Sequence, residues 1–78
     1  MLAKYLKKRF EENDLHNALV ARKLKTSRAV VGMWVKGETV PSFENCCKIA
    51  ELIATKEHRS IGAVLAEMKE QMSLKGGE

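Results

Sequence analysis

Residues 21–37 read ARKLKTSRAVVGMWVKG. These seventeen residues carry five cations, Arg22, Lys23, Lys25, Arg28 and Lys36, and no carboxylate, although the whole chain has ten acidic residues. Ala21 and Leu24 lie three apart, Val31 and Trp34 repeat the interval, and Lys25, Thr26 and Ser27 stand between the pairs. Hydroxyl side chains accept from the free N–H groups that open a helix. The spacing therefore predicts one helix ending near Leu24, a turn of about three residues, and a second helix from about Ser27 to Lys36. Gly37 follows as a left-handed stop. The second helix would bury Val31 and Trp34 and turn Ser27, Arg28, Ala29, Gly32, Met33 and Lys36 outward. At that interval Trp34 reads as core rather than as a platform for stacking bases.

Outward from this stretch the periodicity stays helical. Leu2, Leu6 and Phe10 recur every four residues with Lys4, Lys7, Lys8 and Glu11 between them, which predicts an amphipathic first helix. Asn13 and Asp14 are the expected caps of the second, carried by Leu15, Ala18, Leu19, Ala21 and Leu24. After a loop closed by Pro41, Ser42 is placed to cap a fourth helix with Phe43, Cys46 or Cys47, Ile49, Ala50 and Ile53 inward. Residues 55–60 read as a polar break. Ile61, Val64, Leu65, Met68 and Met72 then give a fifth helix, and residues 75–78 a frayed tail. No stretch alternates as a strand would. The expected class is all-α, a compact bundle of about five helices, with residues 1–74 forming one small domain.

The formal net charge of +4 is unevenly spread. Residues 15–37 hold no Asp or Glu, whereas residues 44–70 set five acids against four bases. A basic segment without acids favours a polyanionic partner; the plain alternative is a solvated face on a helical hairpin. The N-terminal cluster Lys4, Lys7, Lys8 and Arg9 reads mainly as such a solvated face. With no apolar run near membrane-spanning length and no leader-like N-terminus, the chain is expected to be soluble and cytoplasmic, with no membrane partner. Cys46 and Cys47 are adjacent, which disfavours a disulfide. One should enter the core and the other sit at its edge. His16 and His58 lack the paired spacing of a zinc site, so no metal or other cofactor is assigned. No nucleophile–base set, phosphate-cradling glycine loop or paired carboxylates point to an enzyme.

Two short helices joined by a three- or four-residue turn have the geometry of a helix-turn-helix, whose second helix enters the DNA major groove. Residues 17–37, with the GETVPSFENCCKIAELI of residues 37–53, resemble the lambda repressor and Cro-like helix-turn-helix family. The matching elements, in order, are Ala21, Val31, Trp34, Gly37, Pro41 and the run Lys48 to Ile53. The departures are Lys25, where the family usually has the turn glycine, and Thr26, where it has an apolar residue.

The resemblance implies a sequence-specific regulator of transcription that binds double-stranded DNA, most simply a small phage or prophage repressor. Carried over position by position, it makes Asn17 a phosphate contact and Ser27, Arg28, Ala29, Gly32 and Met33 the major-groove positions. Arg28 is the strongest base reader, because guanidinium can donate two parallel bonds to guanine O6 and N7. With few polar readers on the helix, phosphate contacts from Arg22, Lys23, Lys25 and Lys36 are expected to carry much of the affinity. Thr26 at the turn and Thr39 in the following loop complete the expected DNA-facing set. The fifth-helix stripe of Ile61, Val64, Leu65, Met68 and Met72 must be buried either against the first and fourth helices or against a second copy; the favoured reading is a homodimer, which would read a pseudo-palindromic operator with half-sites about 34 Å apart. The alternative gives that stripe to another protein, as in an antitoxin or a repressor controlled by an anti-repressor; toxin, anti-repressor and polymerase are the candidate partners.

Overall fold

The computed structural model describes the backbone of residues 2–76 and the side chains of residues 2–72. Five helices follow in order: α1 Leu2–Glu12, α2 Asn17–Leu24, α3 Arg28–Lys36, α4 Phe43–Glu57 and α5 Ile61–Gly76. Among the described residues there is no strand.

α4 and α5 pack along each other, α2 and α3 form a hairpin, and α1 spans from α3 to α5. The shared core is built from Leu6, Val20, Val31, Ile49, Ile53, Val64 and Met68, all fully enclosed. Burying a side chain of this size contributes roughly 1.5–3 kcal/mol, and the seven come from all five helices, so each helix depends on the rest. Trp34 and Cys46 also lie inside, while Cys47 sits half-buried at the edge, as neighbours about 100° apart on a helix must.

The helix ends follow the expected chemistry at three places. Ser27 Oγ accepts from Val30 N at 3.1 Å and opens α3, and Gly37 closes that helix at φ 81°. Ser42 Oγ accepts from Asn45 N at 3.2 Å and opens α4. Ser60 Oγ accepts from Ala63 N at 3.1 Å at the start of α5.

Other expectations need correction. Asn13 and Asp14 do not cap the start of α2: Asp14 is left-handed at φ 57°, and the Asn13 amide donates instead to Arg9 O at the end of α1 and to Glu57, both at 2.8 Å. This turn drops Leu15 into the core, so α2 begins only at Asn17. The break after α4 is shorter than residues 55–60, because Thr55, Lys56 and Glu57 complete the last turn around buried Ile53 and Ala54. His58, left-handed at φ 56°, ends it. Phe43, expected inside, is 65 % exposed as the first residue of α4. Within α5, Val64 and Met68 cannot belong to a dimer interface, since α4 and α1 already enclose them in the protomer; Ile61 and Met72 are exposed and Leu65 is half-buried. The helix runs on to Gly76, past the point where the tail was expected, and Gly77 and Glu78 lie outside the described residues.

A polar cluster fastens α1 to the α4–α5 corner. Arg9 donates to Glu57 at 3.0 Å, Arg59 donates to both Glu57 and Glu67, and the Tyr5 hydroxyl donates to Glu67 at 2.7 Å. Burial raises the Glu57 carboxyl, but hydrogen bonds from Asn13 and Arg59, with the Arg9 charge, outweigh it and hold Glu57 below the usual carboxylate range. Bonds from Arg59 and then Tyr5 do the same for Glu67. Burial and the bond to Glu67 push the Tyr5 phenol up.

Candidate nucleic-acid interface

The hairpin of α2 and α3 is shaped by its turn. Lys25 adopts φ 58° and ψ 46°, the left-handed conformation that glycine takes most readily, and its N–H caps α2. A non-glycine residue there costs roughly 1–2 kcal/mol. Thr26 N then donates to Ala21 O at 2.8 Å, and Thr26 is half-buried in the turn. Buried Ala21 lets the helices approach, and Val31 and Trp34 fix the inner face of α3. With that face anchored, the 3.6-residue period presents Arg28, Ala29, Gly32, Met33 and Lys36 on the other side.

These five residues, with Asn17, His16 and Ala18 from the start of α2, line one open groove. Six of the twelve expected DNA-facing residues thus come together: Asn17, Arg28, Ala29, Gly32, Met33 and Lys36. Ser27 is spent partly on capping α3, Lys25 and Thr26 form the turn, and Thr39 is exposed in the loop beyond Gly37. Arg22 is exposed on α2 but does not line the groove, and Lys23 opens instead onto a second groove between α2 and α4. His16 and Ala18 were not expected at the site. His16 is the N-terminal cap residue of α2 without a side-chain capping bond, and the misplaced start of α2 concealed both residues.

Among the described residues no carboxylate forms an ion pair with Arg22, Lys23, Lys25, Arg28 or Lys36; the ion pairs fall on Arg9, Lys48 and Arg59. Of these, Arg28 and Lys36 lie on the outer side of α3, and exposed cations are the groups that DNA phosphates and a guanine edge take up. Gly32 is open to the same side: a Cβ there would meet Asn17 Nδ2 at 3.9 Å, an ordinary contact, so internal packing does not demand the glycine.

A family model described as helix-turn-helix, of the Cro and lambda repressor type, matches residues 6–58, from α1 to the end of α4. The chain belongs to this helix-turn-helix family. It is a DNA-binding domain of the transcription-regulator kind, in a family of regulators rather than of enzymes. No curated protein and no solved structure matches the chain. α2 and α3, the two short helices of the hairpin, lie inside the matched span, which ends before α5. Among the described residues no helix is long and apolar enough to cross a membrane.

Proposed function

We propose that the protein is a sequence-specific repressor of the phage or prophage kind, which binds a pseudo-palindromic operator as a homodimer. The observation that carries this reading is the outer face of α3, where Arg28 and Lys36 stand unpaired at either end of a groove floored by Ala29, Gly32 and Met33. Arg28, in the first turn of α3, is the residue that reads a guanine; Lys36, Lys25 and the side chain of Asn17 hold phosphates on either side. Gly32 lets the DNA approach the helix backbone. Thymine methyls fit against Ala29 and Met33.

The dimer uses what α5 leaves free. Ile61, Leu65 and Met72 remain available, and Phe43 and Val40 are exposed near the start of α4. Lys69 of α5 lies 5.7 Å from the Phe43 ring centroid, which places Phe43 beside α5. The same exposed residues favour a second reading, in which this surface binds a different protein, as an antitoxin binds its toxin.

A gel-shift titration against DNA from the protein's own upstream region, with a scrambled competitor and at two salt concentrations, tests the main reading. Tight binding that resists the competitor and weakens with salt is expected; equal binding to both DNAs would remove the sequence-specific reading. Light scattering of Phe43→Glu, with Met72→Glu beside it, checks the dimer. Monomers with weak operator binding are expected, and an unchanged mass would take this surface out of self-association.

A further inference from the structure

We propose that the groove between α2 and α4 docks an acidic amphipathic helix of a partner protein. Leu19 of α2 and Leu52 of α4 are half-buried on its floor, Lys23 stands on the α2 wall, and Lys48 and Lys56 stand on the α4 wall. Glu51 is the one carboxylate among the lining residues, so three lysines outweigh it. Among the described residues the Lys48 side chain meets an exposed partner, Glu44 at 3.7 Å, and no ion pair engages Lys23 or Lys56. The groove is a half-open trough with a volume of about 660 Å³.

Its walls have a helical rhythm. Leu19 and Lys23 are one turn apart on α2, and Lys48, Leu52 and Lys56 succeed one another at four-residue steps, so each helix turns one ridge toward the groove. A third helix fits such a trough by laying an apolar stripe of i, i+4 and i+7 residues along its floor. The lysine rim selects a helix whose stripe is flanked by Asp and Glu, and it repels a basic one. DNA phosphates would meet the lysines but gain nothing from the leucine floor, which favours a protein occupant. Lys23 then serves a protein and not the DNA backbone. No residue lines both this groove and the recognition groove, so the partner can remain docked while α3 holds DNA.

The probes are two synthetic helical peptides with one leucine stripe, flanked by Glu in the first and by Lys in the second, titrated into the ¹⁵N-labelled full chain. The Glu peptide is expected to shift the amides of Leu19, Lys23, Lys48, Leu52 and Lys56 saturably, and the Lys peptide to bind at least about tenfold more weakly. In a Lys23→Glu, Lys56→Glu protein, whose spectrum also reports whether it remains folded, that order should reverse; should this variant unfold, the single Lys56→Glu protein is expected to lose most of the preference. Three results would overturn the proposal: no saturable binding of the Glu peptide, equal binding of both peptides, or shifts centred on Arg28 and Lys36. A fourth is a loss of random-DNA affinity in the reversed variant as large as that of Lys36→Ala, which would make the groove a phosphate track.

Discussion

Arginine is used in two opposite ways in this molecule. At the α1–α4–α5 corner, Arg9 and Arg59 are held by Glu57 and Glu67, with Asn13 and Tyr5 filling the remaining acceptor positions. On the α2–α3 hairpin, Arg28 and its neighbouring cations pair with no carboxylate among the described residues, although Glu38 and Glu44 follow in the next loop and helix. Charge in the first region is satisfied within the fold and fixes how three helices meet. Charge in the second is not satisfied among the described residues, and under the proposed function it meets DNA. Exposed or half-exposed arginines therefore divide by what faces them, and Arg28, proposed to read DNA, is of the unpaired kind.

Exchanging the two kinds of arginine for alanine gives the sharpest contrast. Arg28→Ala should cost about 1–3 kcal/mol of preference for the cognate operator, up to roughly a hundredfold. Its urea midpoint should stay within the change expected of an exposed substitution, about 0.5 kcal/mol. Competition gel shifts and equilibrium denaturation on the same samples read the two quantities. An equal loss on cognate and random DNA would show that Arg28 holds phosphate and reads no base.

At the paired corner the expected result is the mirror image. Glu57→Gln removes the charge that Arg9, Arg59 and Asn13 share, and it should lower stability by about 1–2 kcal/mol, less than for a fully buried pair because water reaches the cluster. Operator affinity of the folded protein should be unchanged. The pH dependence carries the same sign. Glu57 and Glu67 are held below their ordinary range, so in the folded state their charged forms are favoured. Their contribution is complete above about pH 4.3, the ordinary glutamate value, and is lost as the pH falls from there through the lowered folded values. Acid titrations followed by circular dichroism should show a shallower loss in Glu57→Gln than in the native protein. Identical acid profiles would take Glu57 out of the clamp.

The contrast also explains what could be read from sequence. Val31, Trp34, Ala21 and Gly37 announce the hairpin because their spacing and conformational needs are local, and Ser27 and Ser42 announce helix starts for the same reason. The paired corner is not local: Tyr5 and Glu67 are far apart in the chain, as are Asn13 and Glu57, and no periodicity links them. Asn13 looks like a cap because its chemistry suits a cap, but a carboxylate on α4 takes its amide instead. The α5 stripe fails differently. Helical spacing identifies Val64 and Met68 as buried without saying whether this protomer or a second copy buries them, and the answer depends on where α1 and α4 lie. Six of the residues expected to face DNA share one groove because position in the hairpin is local, whereas Lys23 lines the groove between α2 and α4, a direction on α2 that its charge does not reveal.

Smaller effects distinguish contacts within the unpaired region. Lys36→Ala should weaken binding to cognate and random DNA alike, by about 1 kcal/mol at low salt, and reduce the slope of log affinity against log salt by about one unit. A Lys36 that altered specificity and left the slope intact would behave like Arg28 and erase the division between base reading and phosphate holding on α3.

The smallest change, one methyl group, separates folding from binding most cleanly. Gly32 lies inside α3, where alanine is the better helix former by roughly 0.5–1 kcal/mol. A Cβ at this position meets nothing closer than Asn17 Nδ2 at 3.9 Å, so Gly32→Ala should gain most of that stability. If DNA packs against the backbone at Gly32, the added methyl faces the groove and pushes α3 outward, and operator affinity should fall while thermal stability rises. Opposite signs from one methyl require a surface that is incomplete until DNA is present. A variant that gained stability and kept full affinity would place the DNA away from Gly32 and leave Arg28 and Lys36 to reach it from a shallower approach.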